Sequence, residues 1–247
     1  MANLEGILFD LGETLLDFGP VDTIDLFEQG ARLAYHYLQG LQLSLPPFGA
    51  YHRRQLRAIR WAYFKSLLTR REFNSVDIMD RTARGMGRRL TQGQLEELVW
   101  LWYQPLSRQA TVEPGLPDVL DRLASDGLKL GIVSNTFIPA AALDRHLARE
   151  GLLRFFPVRV YSCHVRYRKP HPAIFRSALD AAELSAQGTM FVGDSPKADV
   201  YGAHRVGMIT VLKDPAGTRK PYNAPPDYII RSLSELPGVV ARRRAGS

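Results

Sequence analysis

Apolar residues along this chain follow two different rhythms. Near the N-terminus a short run, Ile7-Leu8-Phe9, leads straight into Asp10, the pattern of a buried strand whose last residue turns out of a sheet. From about residue 18 to 111 the spacing is helical, with Leu26, Leu33 and Tyr37, then Ile59, Tyr63 and Leu67, recurring every three or four positions. This predicts helices over Val21–Leu38, Tyr51–Leu68, Asp77–Leu90 and Gln92–Leu106. Leu45-Pro46-Pro47-Phe48-Gly49 reads as a turn between the first two, and Thr91 as the cap of the last. The aromatic residues Trp61, Tyr63, Phe64, Trp100, Trp102 and Tyr103 are expected to pack inside this bundle.

After the turn Glu113-Pro114-Gly115 the rhythm changes to alternating helices and short strands. Helices are predicted over Leu116–Ser125, Ala140–Glu150, Pro172–Ala182, Lys197–Val206 and Leu233–Val239. Strands are predicted at Lys129–Val133, Val158–Ser162, Met190–Val192, Ile209–Leu212 and Tyr228–Ile230. Repeated βα units imply a mostly parallel sheet with helices on both faces, and the opening strand at residues 5–10 belongs to it. The expected fold is therefore α/β, a Rossmann-like doubly wound parallel sheet. Residues 1–17 and 112–247 form its core, and 18–111 are an inserted helical cap.

Composition narrows the function classes. The 247 residues are 45% hydrophobic and 23% charged, ordinary for a globular chain. One cysteine, Cys163, allows no internal disulfide and suits a reducing compartment. With no apolar run of about 18 residues and no signal-peptide pattern, a cytoplasmic protein without membrane association is expected. The formal charge of +7 favours anionic partners. Part of it lies in Arg242-Arg243-Arg244, expected to be a disordered end. More lies in the helical insertion, which carries thirteen Lys or Arg, Arg70 among them, against eight Asp or Glu. Most of these belong on a solvated face, and no nucleic-acid-reading motif accompanies them.

The polar residues that interrupt the strands gather in one place. Asp10 ends the first strand, Ser134 and Asn135 the second, Lys169 follows the third, and Asp194 ends the fourth with Asp199 five residues on. In a parallel sheet these ends lie along one carboxyl edge, where such folds bind ligands. Taken singly, each has a plainer role as a strand-end cap, an N-cap serine or a surface lysine.

Together the motifs resemble the haloacid-dehalogenase-like hydrolase superfamily, in the branch with a helical cap after the first motif. The residues that carry the likeness are Phe9-Asp10-Leu11-Gly12-Glu13-Thr14, Val133-Ser134-Asn135, Arg168-Lys169-Pro170-His171-Pro172 and Val192-Gly193-Asp194-Ser195 with Asp199, followed by Gly202-Ala203 and Gly207-Met208. The resemblance implies a Mg²⁺-dependent phosphatase acting on a small phosphorylated metabolite. Asp10 would be the nucleophile, and Asp10, the Gly12 backbone, Asp194 and Asp199 would surround the metal. Ser134, Asn135 and Lys169 would hold the phosphoryl group.

One position departs from that pattern. Phosphatases of the superfamily carry an acid/base aspartate two residues after the nucleophile, and here that place is Gly12. Either Glu13 supplies the proton through an irregular loop, or acid–base catalysis is impaired. A weak or inactive phosphate- or partner-binding protein is the main alternative. A phosphonatase, which has alanine at that position, would need a cap lysine, and Lys65 is the lone lysine in the insertion. Retention of Asp194 argues for a metal and against the metal-free dehalogenases. Substrate identity and oligomeric state stay open.

Overall fold

The computed structural model describes residues 3–69 and 71–246, so Arg70 lies outside the described residues. The chain divides into two compact units. One comprises residues 1–17, 111–135 and 147–247, and the other residues 18–110 and 136–146.

The first unit is built on a six-stranded sheet, every neighbouring pair parallel, in the order β3-β2-β1-β4-β5-β6. The strands are β1 (Gly6–Phe9), β2 (Lys129–Ser134), β3 (Val158–Tyr161), β4 (Thr189–Gly193), β5 (Ile209–Lys213) and β6 (Tyr228–Ile230). The short N-terminal apolar run is a central strand. Ile7, Leu8 and Phe9 are 0% exposed, and burying each such side chain contributes roughly 1.5–3 kcal/mol. The strand order reverses between β1 and β4, the switch point at which a doubly wound sheet opens a crevice at its carboxyl edge.

The helix Pro172–Ala182 covers one face of the sheet. Its Ile174, Phe175, Ala178 and Leu179 pack with Leu8, Val133 and Phe191. The Phe175 and Phe191 rings meet edge-on with centroids 5.0 Å apart. Where the chain leaves for the helical segment and returns, Asp17 and Thr111 exchange backbone hydrogen bonds of 2.9 and 2.7 Å.

The second unit contains α1 (Thr23–Gly40), α2 (Phe48–Thr69), α3 (Ser75–Arg84) and α4 (Gln92–Ser107). Helix α1 comes so close to α4 that a Cβ on Gly30 would lie 2.1 Å from the Trp102 carbonyl oxygen, so only glycine fits there. Phe27 stacks on Trp102 beside that contact, centroids 5.1 Å apart. Helix α4 begins with a capping box between Thr91 and Gln94, as the sequence predicts.

Several expectations need correction. Trp100, Trp102 and Tyr103 are buried, but Trp61, Tyr63 and Phe64 are exposed (68% for Trp61). The buried stripe of α2 runs through Tyr51, Gln55, Ile59 and Ser66, and the rings fall outside it. Helix α2 also starts at Phe48, inside the expected turn, and α3 stops at Arg84 rather than Leu90, with Gly85 at its C-cap and Gly87 following at positive φ. The helix expected at Lys197–Val206 opens with a π-helical turn, Pro196–Val200. Arg242-Arg243-Arg244 is not a disordered end, because the helix Leu236–Ala245 runs through it and packs Leu236, Val239 and Val240 inward. No helix among the described residues is long and apolar enough to cross a membrane.

Glu113, where the chain re-enters the sheet unit, ties three segments together. It accepts hydrogen bonds from the Ser232 hydroxyl and the backbone N–H groups of Leu233 and Ser234, and lies 3.6 Å from the Lys213 ammonium. Burial alone would raise its pKa, but these donors together outweigh it and hold the carboxyl below its usual value. A depressed folded pKa means stability that is full above the unfolded value, near ~4.3, and lost as pH falls through the folded one. Glu113→Gln should therefore cost about 1–2 kcal/mol at pH 7. In urea titrations the gap from wild type should close as pH drops below about 4.

Candidate active site at the carboxyl edge of the sheet

Parallel pairing carries Asp10, Ser134, Asp194 and Asp214 to the same edge of the sheet, each at or just beyond a strand's end. Asp10 still donates its backbone N–H to the Val192 carbonyl at 2.8 Å, so it is the last residue held by the ladder. Its carboxylate Oδ1 accepts the Leu11 N–H at 2.7 Å.

Lys169 is the centre of the cluster. Its side chain is 1% exposed, and its Nζ lies 2.8 Å from Asp10 Oδ1, 2.7 Å from Asp199 Oδ1 and 2.9 Å from the Val133 carbonyl. Burial works against a charged lysine, but the two carboxylates outweigh it and hold its pKa above the ordinary value. The backbone of Lys169 is fixed as well. Its N–H donates to Asn135 Oδ1 at 2.7 Å, and the Asn135 amide donates to its carbonyl at 3.1 Å. Asn135, expected to bind phosphate, here clamps the lysine that follows β3.

Asp199 is buried, and its Oδ2 accepts the Ser195 N–H at 2.9 Å. It fits there because residue 193 is glycine, where a Cβ would lie 2.4–2.5 Å from the Asp199 carboxyl atoms. Carboxylate oxygens of Asp10, Asp194 and Asp199 lie within 4.8 Å of one another. That crowding shows in their protonation. Burial, with the charge of Asp199 added, pushes Asp10 up to about 7 against the pull of Lys169. Burial and Asp199 likewise raise Asp194.

An all-oxygen set of three carboxylates suits a hard divalent cation. Lys169 and the Arg219 guanidinium, which meets Asp194 Oδ2 at 2.9 Å, leave one of the three negative charges unbalanced. The residues therefore fit a metal such as Mg²⁺. Gly12 is half-buried in the loop after Asp10, with its backbone bridged to Leu16. Next to it Glu13 has φ +57°, a left-handed and irregular backbone, with its side chain exposed. Ser134 is buried at the end of β2.

Sequence reasoning missed part of the site. Thr14 is buried, its hydroxyl has no hydrogen-bond partner among the described residues, and its carbonyl accepts from Lys213 at 2.8 Å. Lys213 and Asp214 end β5 at the same edge, so strand-end position was a signal for them. Arg219 lies in an irregular loop and carried none.

The profile of the haloacid dehalogenase-like hydrolase family matches residues 4–207. This chain belongs to that family. It is 40% identical over 98 residues to the glyceraldehyde 3-phosphate phosphatase of Pyrococcus abyssi, covering 40% of each chain. To the ribulose-1,5-bisphosphate 5-phosphatase of Halopiger xanaduensis it is 25% identical over 95% of this chain and 98% of that one. The match spans about half or less of the first curated relatives, at 40%, 54% and 45% of their length. Among solved structures, a phosphatase of the family from Thermococcus onnurineus aligns with TM-score 0.60 and 30% identity over 96% of this chain and 98% of that one. A 2-haloacid dehalogenase from Pseudomonas syringae shares the fold, with TM-score 0.66 and 24% identity over 97% and 99%.

If Lys169 neutralises this cluster, removing it is costly. Lys169→Met strands the buried Asp199 and the half-buried Asp10 and should destabilise the metal-free protein by about 3–5 kcal/mol. Chemical denaturation at pH 8, where holding these carboxyls either ionised or protonated costs the folded state, is the measurement, and a loss under 1 kcal/mol would contradict the geometry.

Proposed function

We propose that this protein is a Mg²⁺-dependent phosphatase acting on a small phosphorylated metabolite through a phospho-enzyme on Asp10. The observation that carries the reading is Asp10 at the tip of the central strand, with Asp194 and Asp199 within 4.8 Å and Lys169 buried against it. The phosphatase names of its relatives and the chain's positive charge point the same way. Asp10, the Gly12 backbone, Asp194 and Asp199 would hold the cation, which when bound supplies positive charge against the incoming phosphate.

Asp10 Oδ1 is taken by Lys169 and Leu11, so Oδ2 keeps the uncommitted lone pairs. A carboxylate oxygen of Asp10 attacks phosphorus, the ester P–O bond breaks, and the leaving oxygen departs as its anion and takes a proton from water. Water then attacks the acyl-phosphate and restores Asp10, so one difficult displacement becomes two easier ones. Ser134 and nearby backbone N–H groups would receive phosphoryl oxygens. The helical unit, at residues 18–110 and 136–146, would act as the cap that excludes water during turnover.

Gly12 offers no proton, and a positioned acid is typically worth ~10²–10⁴-fold. Aryl phosphates, whose leaving groups need little protonation, should be turned over with Mg²⁺, and alkyl phosphates slowly. Asp10→Asn should abolish both activities. Gly12→Asp should raise alkyl phosphate turnover about 100-fold. Phosphate binding without release from any ester would favour the second reading, a phosphate-binding protein, which the bare Gly12 position supports. Asp10 must lose its proton to bind the cation. Mg²⁺ affinity should therefore be full above pH 7 and weaken about tenfold per unit below it, as calorimetry at several pH values would show.

A further inference from the structure

Lys169 is already heavily committed within the protein. Three protein oxygens already lie 2.7, 2.8 and 2.9 Å from its ammonium, and at 1% exposure it has nowhere to swing. An ammonium has three N–H groups, so a phosphoryl oxygen would have to displace a protein partner. A phosphate dianion entering among three carboxylates would gain from a second cation that is still free to turn.

Arg219 is placed to be that cation. Its side chain is 36% exposed and meets Asp194 Oδ2 at 2.9 Å. That ion pair is its one side-chain bond among the described residues, so most of its five donors are unspent. The loop that delivers it is pinned from behind, because buried Asp214 accepts the backbone N–H groups of Thr218 and Arg219 at 3.2 and 2.9 Å. The backbone is held while the long side chain can pivot. The planar guanidinium also matches phosphate oxygens two at a time.

We infer that Arg219 is a phosphate-binding residue of this site that shares Asp194 with the metal: it neutralises Asp194 in the metal-free protein and engages the substrate's phosphoryl oxygens once Asp194 serves as a metal ligand. This rests on the phosphatase reading above. It predicts two effects of opposite sign. Removing Arg219 takes a positive charge away from the cation, which should tighten Mg²⁺ binding, and takes a donor away from the anion, which should weaken phosphate binding. A residue that only supports the loop would move both affinities the same way.

The test uses calorimetry on the full chain for wild type, Arg219→Gln and Arg219→Lys, each checked for folding by circular dichroism. MgCl₂ is titrated into metal-free protein, and then inorganic phosphate into protein saturated with Mg²⁺. Arg219→Gln should bind Mg²⁺ about three- to tenfold more tightly and phosphate about three- to tenfold more weakly, the scale of one nearby, partly screened charge. Arg219→Lys, which keeps the charge without the fork, should restore most of the Mg²⁺ affinity and only part of the phosphate affinity. If wild type binds both ligands and the two affinities do not move in opposite directions in Arg219→Gln, the assignment of Arg219 fails while the phosphatase reading stands. If wild type binds no Mg²⁺, both fail.

Discussion

One buried ammonium holds the carboxyl edge of this sheet together. Asp10 and Asp199 come from distant parts of the chain and stand where they would repel each other and shed their charge. Lys169, 2.8 and 2.7 Å from them, makes the arrangement tolerable. A surface ion pair of the same length would contribute little. Here the ammonium and Asp199 are buried and a backbone carbonyl completes the contacts of the lysine, so losing the cation would leave uncompensated charge at the site.

That requirement reaches back into the scaffold. A buried lysine must arrive from one direction, and the reciprocal hydrogen bonds between Asn135 and the Lys169 backbone fix that direction from the neighbouring strand end. Asp199 must approach β4 closely, and Gly193 removes the one Cβ that would block it. Gly202 does similar work nearby, since a Cβ there would lie 2.7 Å from the Phe175 ring, which packs under the sheet. The glycines of the fourth motif region are therefore packing requirements of the charged cluster and of the core beneath it.

The sheet unit was legible in the sequence because its signals are local. An apolar run ending in a polar residue, as at Asp10, Ser134 and Asp194, marks both the strands and the edge they share. Asp10, Lys169, Asp194 and Asp199 could be gathered from this pattern alone, and the structure brings them into one cluster. The helical segment was harder to read. Its period was right, but helical spacing does not say which stripe of an amphipathic helix faces inward. In α2, Gln55 and Ser66 are buried while Trp61 and Phe64 are not. Asn135 and Arg219 illustrate another limit. The partner of an amide or guanidinium is set by three-dimensional approach, and a residue in an irregular loop has no periodicity to betray it.

Gly12 sharpens what this site is built to do. The loop it occupies is well ordered: Glu13 and Leu16 share a 2.7 Å backbone hydrogen bond, and Leu15 and Leu16 both donate to the Leu11 carbonyl. The missing carboxylate is thus not a symptom of a decayed loop. Glu13 takes a left-handed backbone at φ +57°, which costs an L-residue energy that its surroundings must offset. Charge neutralisation and proton transfer are separable demands on such a site. The first is met by residues on four strand ends and their loops, and the second has no side chain at position 12 to meet it. On the phosphatase reading proposed above, a site in this condition favours substrates whose leaving groups depart without help, so the chemistry of the leaving group, more than the phosphate itself, sets what it would turn over.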